Sequence, residues 1–382
     1  MFIEALKKQN PRLIESAVSL WKQGQILPDS YVIDVGQVLS NGQKLVATAK
    51  QHNLSLYLMG KQFGRNPYLC QKLLQLGFDG LVAVDYKEAR HYYSHNLKVS
   101  HLGHLVQLPA AMIEPAIQHQ PDVITVYSID KARQIAQAAQ RLNRVQAVLI
   151  KVCSAQDIVY PGQESGIDLA DLPDFIHTLQ QLNNIKIAGV THFPCILLNE
   201  QQQLVATPNF HTLIKAKQIV AKCGIEVAQV NAPSSTCVGS MPLLAAMGAT
   251  HGEPGHALTG TMPVNRQGDQ PEKIAMLYLS EISHNFGENA YCFGGGYYRR
   301  GNAKTALVGE KLTETALLPL DADSIDYTLR LKGNFAVGDP VVMCFRTQIF
   351  VTRSDVVLID YDQQGQPYVI GVYDSLGNLI RG

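Results

Sequence analysis

Three kinds of chemically useful side chain stand where predicted strands end. Lys61 follows the run LSLYLMG, His192 ends IKIAGVTHF, and the hydroxyls of Ser234, Ser235 and Thr236 follow VNAP. A lysine among apolar neighbours has a lowered pKa and can form a Schiff base with a carbonyl compound. The imidazole could lie over a flat cofactor ring, and the hydroxyls, leading into a helix, could bind an anion.

Each of these features also has a purely structural interpretation. Lys61 could be a solvated lysine at a strand end, His192 a hydrogen-bonded structural histidine, and the hydroxyls an N-cap cluster. A further segment, GEPGHALTG, contains Gly255 and His256 and offers more backbone N–H groups. All these segments follow strands, which favours one shared site.

The strands that must position these residues alternate with helices. We predict strands at 54–59, 80–84, 97–102, 123–127, 145–152, 185–192, 226–231 and 250–252. Apolar residues recur with helical periodicity between them, as over 130–142 and 209–223. Eight strands close an α/β barrel, in which reactive groups lie at the carboxyl ends of the strands and phosphate sites follow strands seven and eight.

After about residue 270, glycine-rich turns and alternating strands replace the helical pattern. The sequence therefore predicts an α/β protein, a (β/α)8 TIM barrel with a C-terminal β domain. The predicted limits are 37–270 for the barrel and 271–382 for the β domain. Residues 1–36 are predicted to be a helix and a strand, SYVIDV, that pack with the β domain.

Composition excludes several classes of protein. Among 382 residues there are 32 Lys plus Arg and 32 Asp plus Glu, so the basic field that nucleic acids require is missing. Seven scattered cysteines without a CxxC pair indicate reduced thiols, with neither a disulfide framework nor a zinc site. No apolar run reaches 18 residues, so no membrane span is expected. We predict a cytoplasmic protein without a metal.

In this order the motifs resemble those of fold-type III pyridoxal-phosphate enzymes, the group of alanine racemase and the ornithine and diaminopimelate decarboxylases. The resemblance runs from YVIDVGQVLSNGQKLV to the C-terminal β domain. It implies pyridoxal 5′-phosphate as the cofactor. Lys61 in LYLMGKQFGRN then matches the lysine of the internal aldimine, and His192 in GVTHFP the histidine beside the cofactor ring.

The resemblance assigns the cofactor's phosphate to two segments. Ser235 in NAPSST matches the phosphate-binding serine, with Ser234 and Thr236 as near alternatives. Gly255 and His256 in EPGHALTG match the second phosphate-binding turn.

The resemblance also assigns a partner to the ring nitrogen. Glu253 stands where alanine racemases carry arginine, and EPGH is closer to the decarboxylase EPGR. A carboxylate keeps the ring nitrogen protonated and makes the ring a deeper electron sink, which suits decarboxylation, racemisation and elimination alike. Tyr373 could supply a closing contact to phosphate or ring, or be a surface tyrosine.

A second catalytic group is expected in FGGGYYRRG. Gly296 and Tyr297 resemble the GY motif of alanine racemase, whose tyrosine reaches the neighbouring subunit's cofactor. A racemase needs a second acid/base because the proton leaves one face of a planar carbanion and returns to the other. Lys61 and Tyr297 of a partner subunit would meet that need; Tyr298 and Cys344 are alternatives, and the motif could be only a structural turn.

Two racemase features are missing. The segment KVCSAQDIVYPGQESGID retains Lys151 but lacks the arginine that binds the substrate's carboxylate in the racemase motif after KVDTG. Phe63 and Arg65 occupy the stretch where a phosphate-binding tyrosine would stand. The substrate is therefore not alanine by default.

These features together predict a homodimeric, pyridoxal-phosphate-dependent isomerase, an amino-acid racemase or epimerase with active sites shared between subunits. An amino-acid decarboxylase, a lyase, is the alternative that Glu253 favours. A non-catalytic cofactor carrier is a third, which the C-terminal domain argues against. A metal-dependent hydrolase is more distant: HLGH at 101–104 suggests it, but we expect no cluster with metal-ligand spacing at the strand ends.

Overall fold

The computed structural model describes residues 1–321 and 323–382. The chain forms two compact units. The barrel unit comprises Leu45–Met59 and Cys70–Pro254, and the sheet unit comprises Met1–Lys44, Gly60–Leu69 and Gly255–Gly382. The domain limits proposed from the sequence stay a prediction.

The helices are short and mostly amphipathic. They are α1 (Ile3–Gln9), α2 (Pro11–Lys22), α3 (Val35–Gln51), α4 (Pro67–Leu74), α5 (Tyr86–Ser94), α6 (Ala110–Gln118), α7 (Ile129–Arg141), α8 (Leu172–Gln180), α9 (Pro208–Lys222), α10 (Met241–Ala246) and α11 (His256–Thr259). Single 3₁₀ turns lie at Lys61–Phe63, Pro263–Asn265, Arg299–Gly301 and Ile349–Val351. None of the described helices combines the length and the hydrophobicity that a membrane span requires.

The strands are β1 (Ser30–Asp34), β2 (Ser55–Met59), β3 (Gly80–Ala83), β4 (Val99–Leu102), β5 (Val123–Val126), β6 (Gln146–Cys153), β7 (Ile167–Asp168), β8 (Ile185–Thr191), β9 (Ile196–Leu198), β10 (Leu204–Ala206), β11 (Gln229–Asn231), β12 (His251–Gly252), β13 (Met276–Phe286), β14 (Asn289–Phe293), β15 (Thr305–Val308), β16 (Thr313–Ala316), β17 (Thr328–Lys332), β18 (Pro340–Met343), β19 (Asp355–Tyr361), β20 (Pro367–Tyr373) and β21 (Leu379–Arg381).

The barrel unit is a closed, parallel sheet. Its order is β2, β3, β4, β5, β6, β8, β11 and β12, and β12 pairs again with β2. Caps set where its helices begin: Asp85 accepts a hydrogen bond from the N–H of Glu88 at α5, and Ser128 accepts one from the N–H of Lys131 at α7. The predicted TIM barrel is confirmed, and the eight strands expected from the sequence are those that close it.

The sheet unit is built on a long, mainly antiparallel sheet. Its order is β16, β15, β18, β13, β1, β19, β20 and β21, and β14 pairs with both β13 and β17. The N-terminal strand β1 lies between β13, to which it is antiparallel, and β19, to which it is parallel. The predicted C-terminal β domain is thus confirmed.

Helices α1 and α2 cover one face of this sheet. Leu6, Leu13 and Leu20 are buried there against strand residues such as Val342 and Val357. The apolar side chains repeat along the helices with a period that keeps them on one face, so their burial holds the two helices on the sheet.

Candidate active site

A hydrogen-bonded network inside the barrel unit surrounds Glu253. This residue directly follows β12, and its Oε1 accepts hydrogen bonds from His101 Nδ1 at 2.6 Å and Asn231 Nδ2 at 2.7 Å. His101 lies on β4, and its Nε2 is 2.6 Å from Thr125 Oγ1 on β5. The side chains come from strands far apart along the chain, and closure of the barrel brings them together.

The network keeps the Glu253 carboxylate ionised although it is buried. Burial raises its pKa, but the charges of His104 and His101 and the hydrogen bonds from His101 and Asn231 outweigh burial and lower the pKa to about 2. Among the described residues, the second oxygen, Oε2, has no hydrogen-bond partner. A buried acceptor without a partner is costly, so this oxygen is suited to accept a hydrogen bond from a bound molecule.

His101, His104 and Glu253 also form a possible metal-ligand set. Each offers a ligand atom, and these atoms lie within 4.8 Å of one another in buried positions. The expectation that the strand ends carry no such cluster is therefore wrong. Two ligands of one tetrahedral zinc ion would stand about 3.3 Å apart, because each bond is about 2.0 to 2.1 Å long. The observed 2.6 Å between His101 and Glu253 is instead a hydrogen-bond distance.

A second buried pair fixes the orientation of His192. This residue directly follows β8, and its Nε2 is 2.7 Å from Asp157 Oδ2. Thr212 Oγ1 donates to the other oxygen of Asp157 at 2.8 Å. Burial raises the pKa of Asp157, but the interactions with His192 and Thr212 outweigh it, and the pKa is lowered. In the described part of the chain His192 Nδ1 has no partner.

The three predicted phosphate-binding hydroxyls differ in their surroundings. Ser234 Oγ donates to the Ile196 carbonyl at 2.7 Å, Thr236 Oγ1 accepts from the Glu253 N–H at 3.0 Å, and Ser235 is exposed. The expected helix follows these residues, but not at once, because α10 begins only at Met241. Ser234 and Ser235 have φ angles of 102° and 49°, and consecutive left-handed residues cannot start a right-handed helix.

The sheet unit brings together Lys61, Gly255 and His256. Lys61 begins the 3₁₀ turn after β2, and a Cβ on Gly255 would lie 2.5 Å from Gln62 Oε1 in that turn. His256 Nε2 accepts a hydrogen bond from Arg346 Nε at 3.1 Å. Burial lowers the pKa of His256 well below its usual value, and the charges of Arg346 and Lys61 lower it further, so the imidazole is neutral.

Chain connectivity relates these residues to the strand ends of the barrel unit. Strands β2 and β12 are neighbours, and the N–H of Met59 donates to the carbonyl of Pro254 at 3.0 Å. Lys61 comes two residues after Met59, and Gly255 directly follows Pro254. Lys61 and Gly255 therefore follow the carboxyl ends of two adjacent strands, as the sequence predicts.

Tyr297 lies on the loop after β14 in the sheet unit. Its ring centroid is 5.4 Å from that of Phe345, and partial burial raises the pKa of its phenol. The hydroxyl is therefore protonated at neutral pH. Tyr298 is the residue before the 3₁₀ turn Arg299–Gly301.

Cys344 and Tyr373 are both buried in the sheet unit. Cys344 is buried in the apolar cluster under α1 and α2, donates to the Met276 carbonyl at 3.3 Å, and has its pKa raised to about 12 by burial. A thiol in this position is an inert core residue, so Cys344 is not a second catalytic group. Tyr373 ends β20 and is 8% exposed, so its alternative interpretation as a surface residue is wrong.

Sequence reasoning missed several members of these networks. His101 stands in HLGH, but the sequence does not show that its imidazole contacts Glu253; Asn231, Asp157 and Arg346 gave no signal of their own. Asp157 lies in the loop after β6, and Arg346 lies after β18, so each meets its histidine only through the tertiary fold.

Comparison with known proteins gives the class of this chain. It matches the family described as alanine racemase, N-terminal domain, over residues 33–263, and the family described as YhfX-like, C-terminal domain, over residues 277–369. The first match spans more than half of the chain. The chain belongs to the alanine racemase N-terminal domain family, within the fold-type III pyridoxal-phosphate enzymes.

A curated relative extends along the whole chain. The chain is 57% identical over 385 residues, and 100% of both sequences, to the Escherichia coli (strain K12) protein named Uncharacterized protein YhfX. This relationship covers the barrel and the β domain together.

Solved structures share the fold at low identity. The D-threonine aldolase from Filomicrobium marinum has a TM-score of 0.68 and 13% identity, covering 92% of this chain and 96% of the other. The D-threo-3-hydroxyaspartate dehydratase from Delftia sp. HT23 has a TM-score of 0.67 and 14% identity, and the match covers 90% of this chain and 97% of the other. The alanine racemase of Clostridium difficile 630 in complex with cycloserine has a TM-score of 0.64 and 15% identity, and the match covers 92% of this chain and 99% of the other.

Proposed function

We propose that this protein is a pyridoxal-phosphate-dependent enzyme that racemises or epimerises an amino acid. The observation that carries the proposal is the buried, ionised Glu253, whose Oε2 has no partner within the described residues. Glu253 directly follows β12, the neighbour of β2 in the barrel. Family membership supports the cofactor, because this family typically consists of enzymes that use it.

The residues present fit this cofactor. Lys61 would hold it covalently, Glu253 Oε2 would accept a hydrogen bond from its protonated ring nitrogen, and His192 would lie beside its ring. The backbone of 234–236 and the turn at Gly255 and His256 would bind its phosphate. When bound, pyridoxal phosphate withdraws the electrons left at the substrate's α-carbon.

Two residues of the chain would move the α-proton. Lys61 Nζ would remove or add the α-proton at one face of the substrate, and the Tyr297 hydroxyl of a partner subunit would do so at the other. The active enzyme is therefore proposed to be a homodimer. The raised pKa of Tyr297 means that its phenol begins protonated and acts first as an acid.

Glu253 also supports a second candidate, an amino-acid decarboxylase. Its pKa of about 2 keeps it anionic at any physiological pH, so it would hold the ring nitrogen protonated for loss of carbon dioxide as well as for loss of a proton. Product analysis separates the two reactions.

The cofactor is tested first. We expect the purified protein, supplied with pyridoxal phosphate, to show a visible absorbance that borohydride shifts, with the reduced cofactor on the peptide that contains Lys61. Lys61→Ala should lose this label, whereas Lys50→Ala, which removes an exposed lysine on α3, should keep it. A label on another lysine, or none, overturns the assignment.

The reaction is tested on the loaded protein in heavy water. It is incubated with pooled L- and D-amino acids, and the α-proton signals are followed by NMR. Deuterium at the α-carbon together with the opposite enantiomer supports racemisation. Carbon dioxide and an amine assign the decarboxylase instead, and no reaction across the pool contradicts both.

A further inference from the structure

Lys151 places a buried amine inside the barrel unit. It lies on β6, is 3% exposed, and donates a hydrogen bond to Ser165 Oγ. Its Nζ is 5.6 Å from the centre of the Tyr127 ring. Burial lowers its pKa to about 8 against an opposing effect of the Cys153 thiol, and no carboxylate of the described chain contributes.

Such an amine is incompletely satisfied by the protein. An ammonium group has three N–H donors, and within residues 1–321 and 323–382 Ser165 is its one hydrogen-bond acceptor. Lysines are almost never fully buried unless they are paired, because a buried charge without a partner is costly. The two remaining donors are therefore suited to an anionic ligand.

Lys151 faces space in which a ligand fits. It lines a cavity of about 280 Å³ together with the polar side chains of Ser154, Tyr160, Gln163 and Ser165. This volume is at the lower end for sites of small molecules, so the ligand is small. Glu164 and Asp168 also line the cavity, but both are exposed to solvent, whereas the amine is buried.

One wall of the cavity is held rigidly and includes His192. The Asn209 side chain accepts from the Ile158 N–H at 2.9 Å and donates to the Ile158 carbonyl at 3.0 Å. Asp157, in the same loop, holds His192 at 2.7 Å. The cavity therefore adjoins the residue that we assign to the cofactor ring, where a substrate must react.

We propose that Lys151 is the anchor for the substrate's carboxylate, and that the cavity beside it is the carboxylate subsite. That the ligand is the substrate rests on the proposed function. That the ligand is small and anionic follows from the cavity and the buried amine. It assigns a binding group where the sequence lacks the arginine that follows KVDTG in alanine racemases. A lysine offers a compact charge in place of a forked guanidinium, so a carboxylate would be bound here by charge more than by bidentate geometry.

The test compares two probes of equal shape, propionate and propionamide, binding to the cofactor-loaded protein. Titrations followed by NMR give both affinities. We expect wild type to prefer propionate by about 10-fold or more. Lys151→Met should reduce that preference to roughly twofold or less. The control Lys186→Met removes an exposed lysine at the start of β8 and should leave the preference unchanged.

A measurement on wild type keeps the proposal open to refutation if Lys151→Met does not fold. In protein with ¹³Cε-labelled lysine, we expect one amine to titrate near pH 8, and its pKa to rise in saturating propionate but not in propionamide. Equal affinities for the two probes, no rise in that pKa, or an undiminished preference in Lys151→Met overturns the proposal.

Repeating the titrations in Lys61→Ala separates this inference from the proposed function. A preference for propionate that survives there while wild type fails to take up cofactor supports the subsite and rejects the cofactor assignment. Loss of the preference in Lys151→Met, with cofactor labelling of Lys61 intact, supports both. Cofactor labelling without any preference for propionate rejects the subsite alone.

Discussion

The carboxylate of Glu253 and the imidazole of His101 form a buried hydrogen bond of 2.6 Å between the ends of two strands that are not neighbours in the barrel. The bond occupies Oε1 and leaves Oε2 without a partner among the described side chains. It therefore orients the carboxylate as well as keeping it charged. Both consequences can be measured.

Replacing Glu253 with Gln should impair turnover without releasing the cofactor. The substitution keeps the shape but removes the charge that would hold the ring nitrogen protonated, so we expect a loss of about 100-fold or more in kcat. The absorbance of the bound cofactor should shift, because its ring loses a proton. Glu226→Gln changes an exposed carboxylate of the same unit and should alter neither quantity. An unchanged spectrum and rate would reject Glu253 as the ring's partner.

The same carboxylate should make stability depend on pH in acid. Its folded-state pKa, about 2, lies below the ordinary 4.5, so its contribution is complete above pH 4.5 and is lost as the pH falls toward 2. The shift corresponds to about 3 kcal/mol. We expect the difference in free energy of unfolding between wild type and Glu253→Gln to shrink over this range. Urea unfolding between pH 5 and pH 3 measures it, and a constant difference would contradict the low pKa.

The sequence was sufficient to predict features formed by residues that are close together in the chain. Most barrel strands are short, largely apolar runs between helical patterns, so the strands, and Lys61 and His192 after them, could be placed without tertiary information. The contact of His101 with Glu253 could not, because β3 and β2 lie between β4 and β12 in the barrel. The inward direction of Cys344 likewise depends on α1 and α2, which lie at the other end of the chain.

Gly260, in the GHALTG segment, should tolerate no side chain. Its φ is +69°, and a Cβ would lie 2.2 Å from the Lys273 carbonyl oxygen, which is backbone and cannot move aside. We expect Gly260→Ala to lower the free energy of unfolding by more than about 3 kcal/mol.

Gly224 provides the matched control for Gly260. It has a φ of +79° with nothing within 4 Å of the added carbon. Gly224→Ala should therefore cost only about 1 kcal/mol, from backbone strain alone. Chemical denaturation compares the two, and equal losses would show that the clash at Gly260 is relieved.

Lys151→Met should stabilise the protein at neutral pH. The folded-state pKa of Lys151, about 8, lies below the ordinary 10.5, so keeping the amine charged in the folded state opposes folding at every pH below 8. We expect a gain of about 3 kcal/mol at pH 7. The gain should shrink as the pH rises from 8 to 10.5, because the folded amine of wild type is then neutral. Denaturation of both proteins across this range measures it, and a loss of stability at pH 7 would contradict the unpaired amine.

Tyr297→Phe should separate the two proton transfers. The substitution keeps the aromatic contact with Phe345 and removes the hydroxyl that we assign to one face of the substrate. We expect racemisation to fall by about 100-fold or more, while cofactor absorbance remains. Lys61 should still exchange the α-proton of one enantiomer with deuterium, which NMR of each enantiomer separately detects. Tyr368→Phe removes the hydroxyl of a tyrosine that is 45% exposed and should change nothing. Unchanged racemisation in Tyr297→Phe would assign the second proton transfer to a different group.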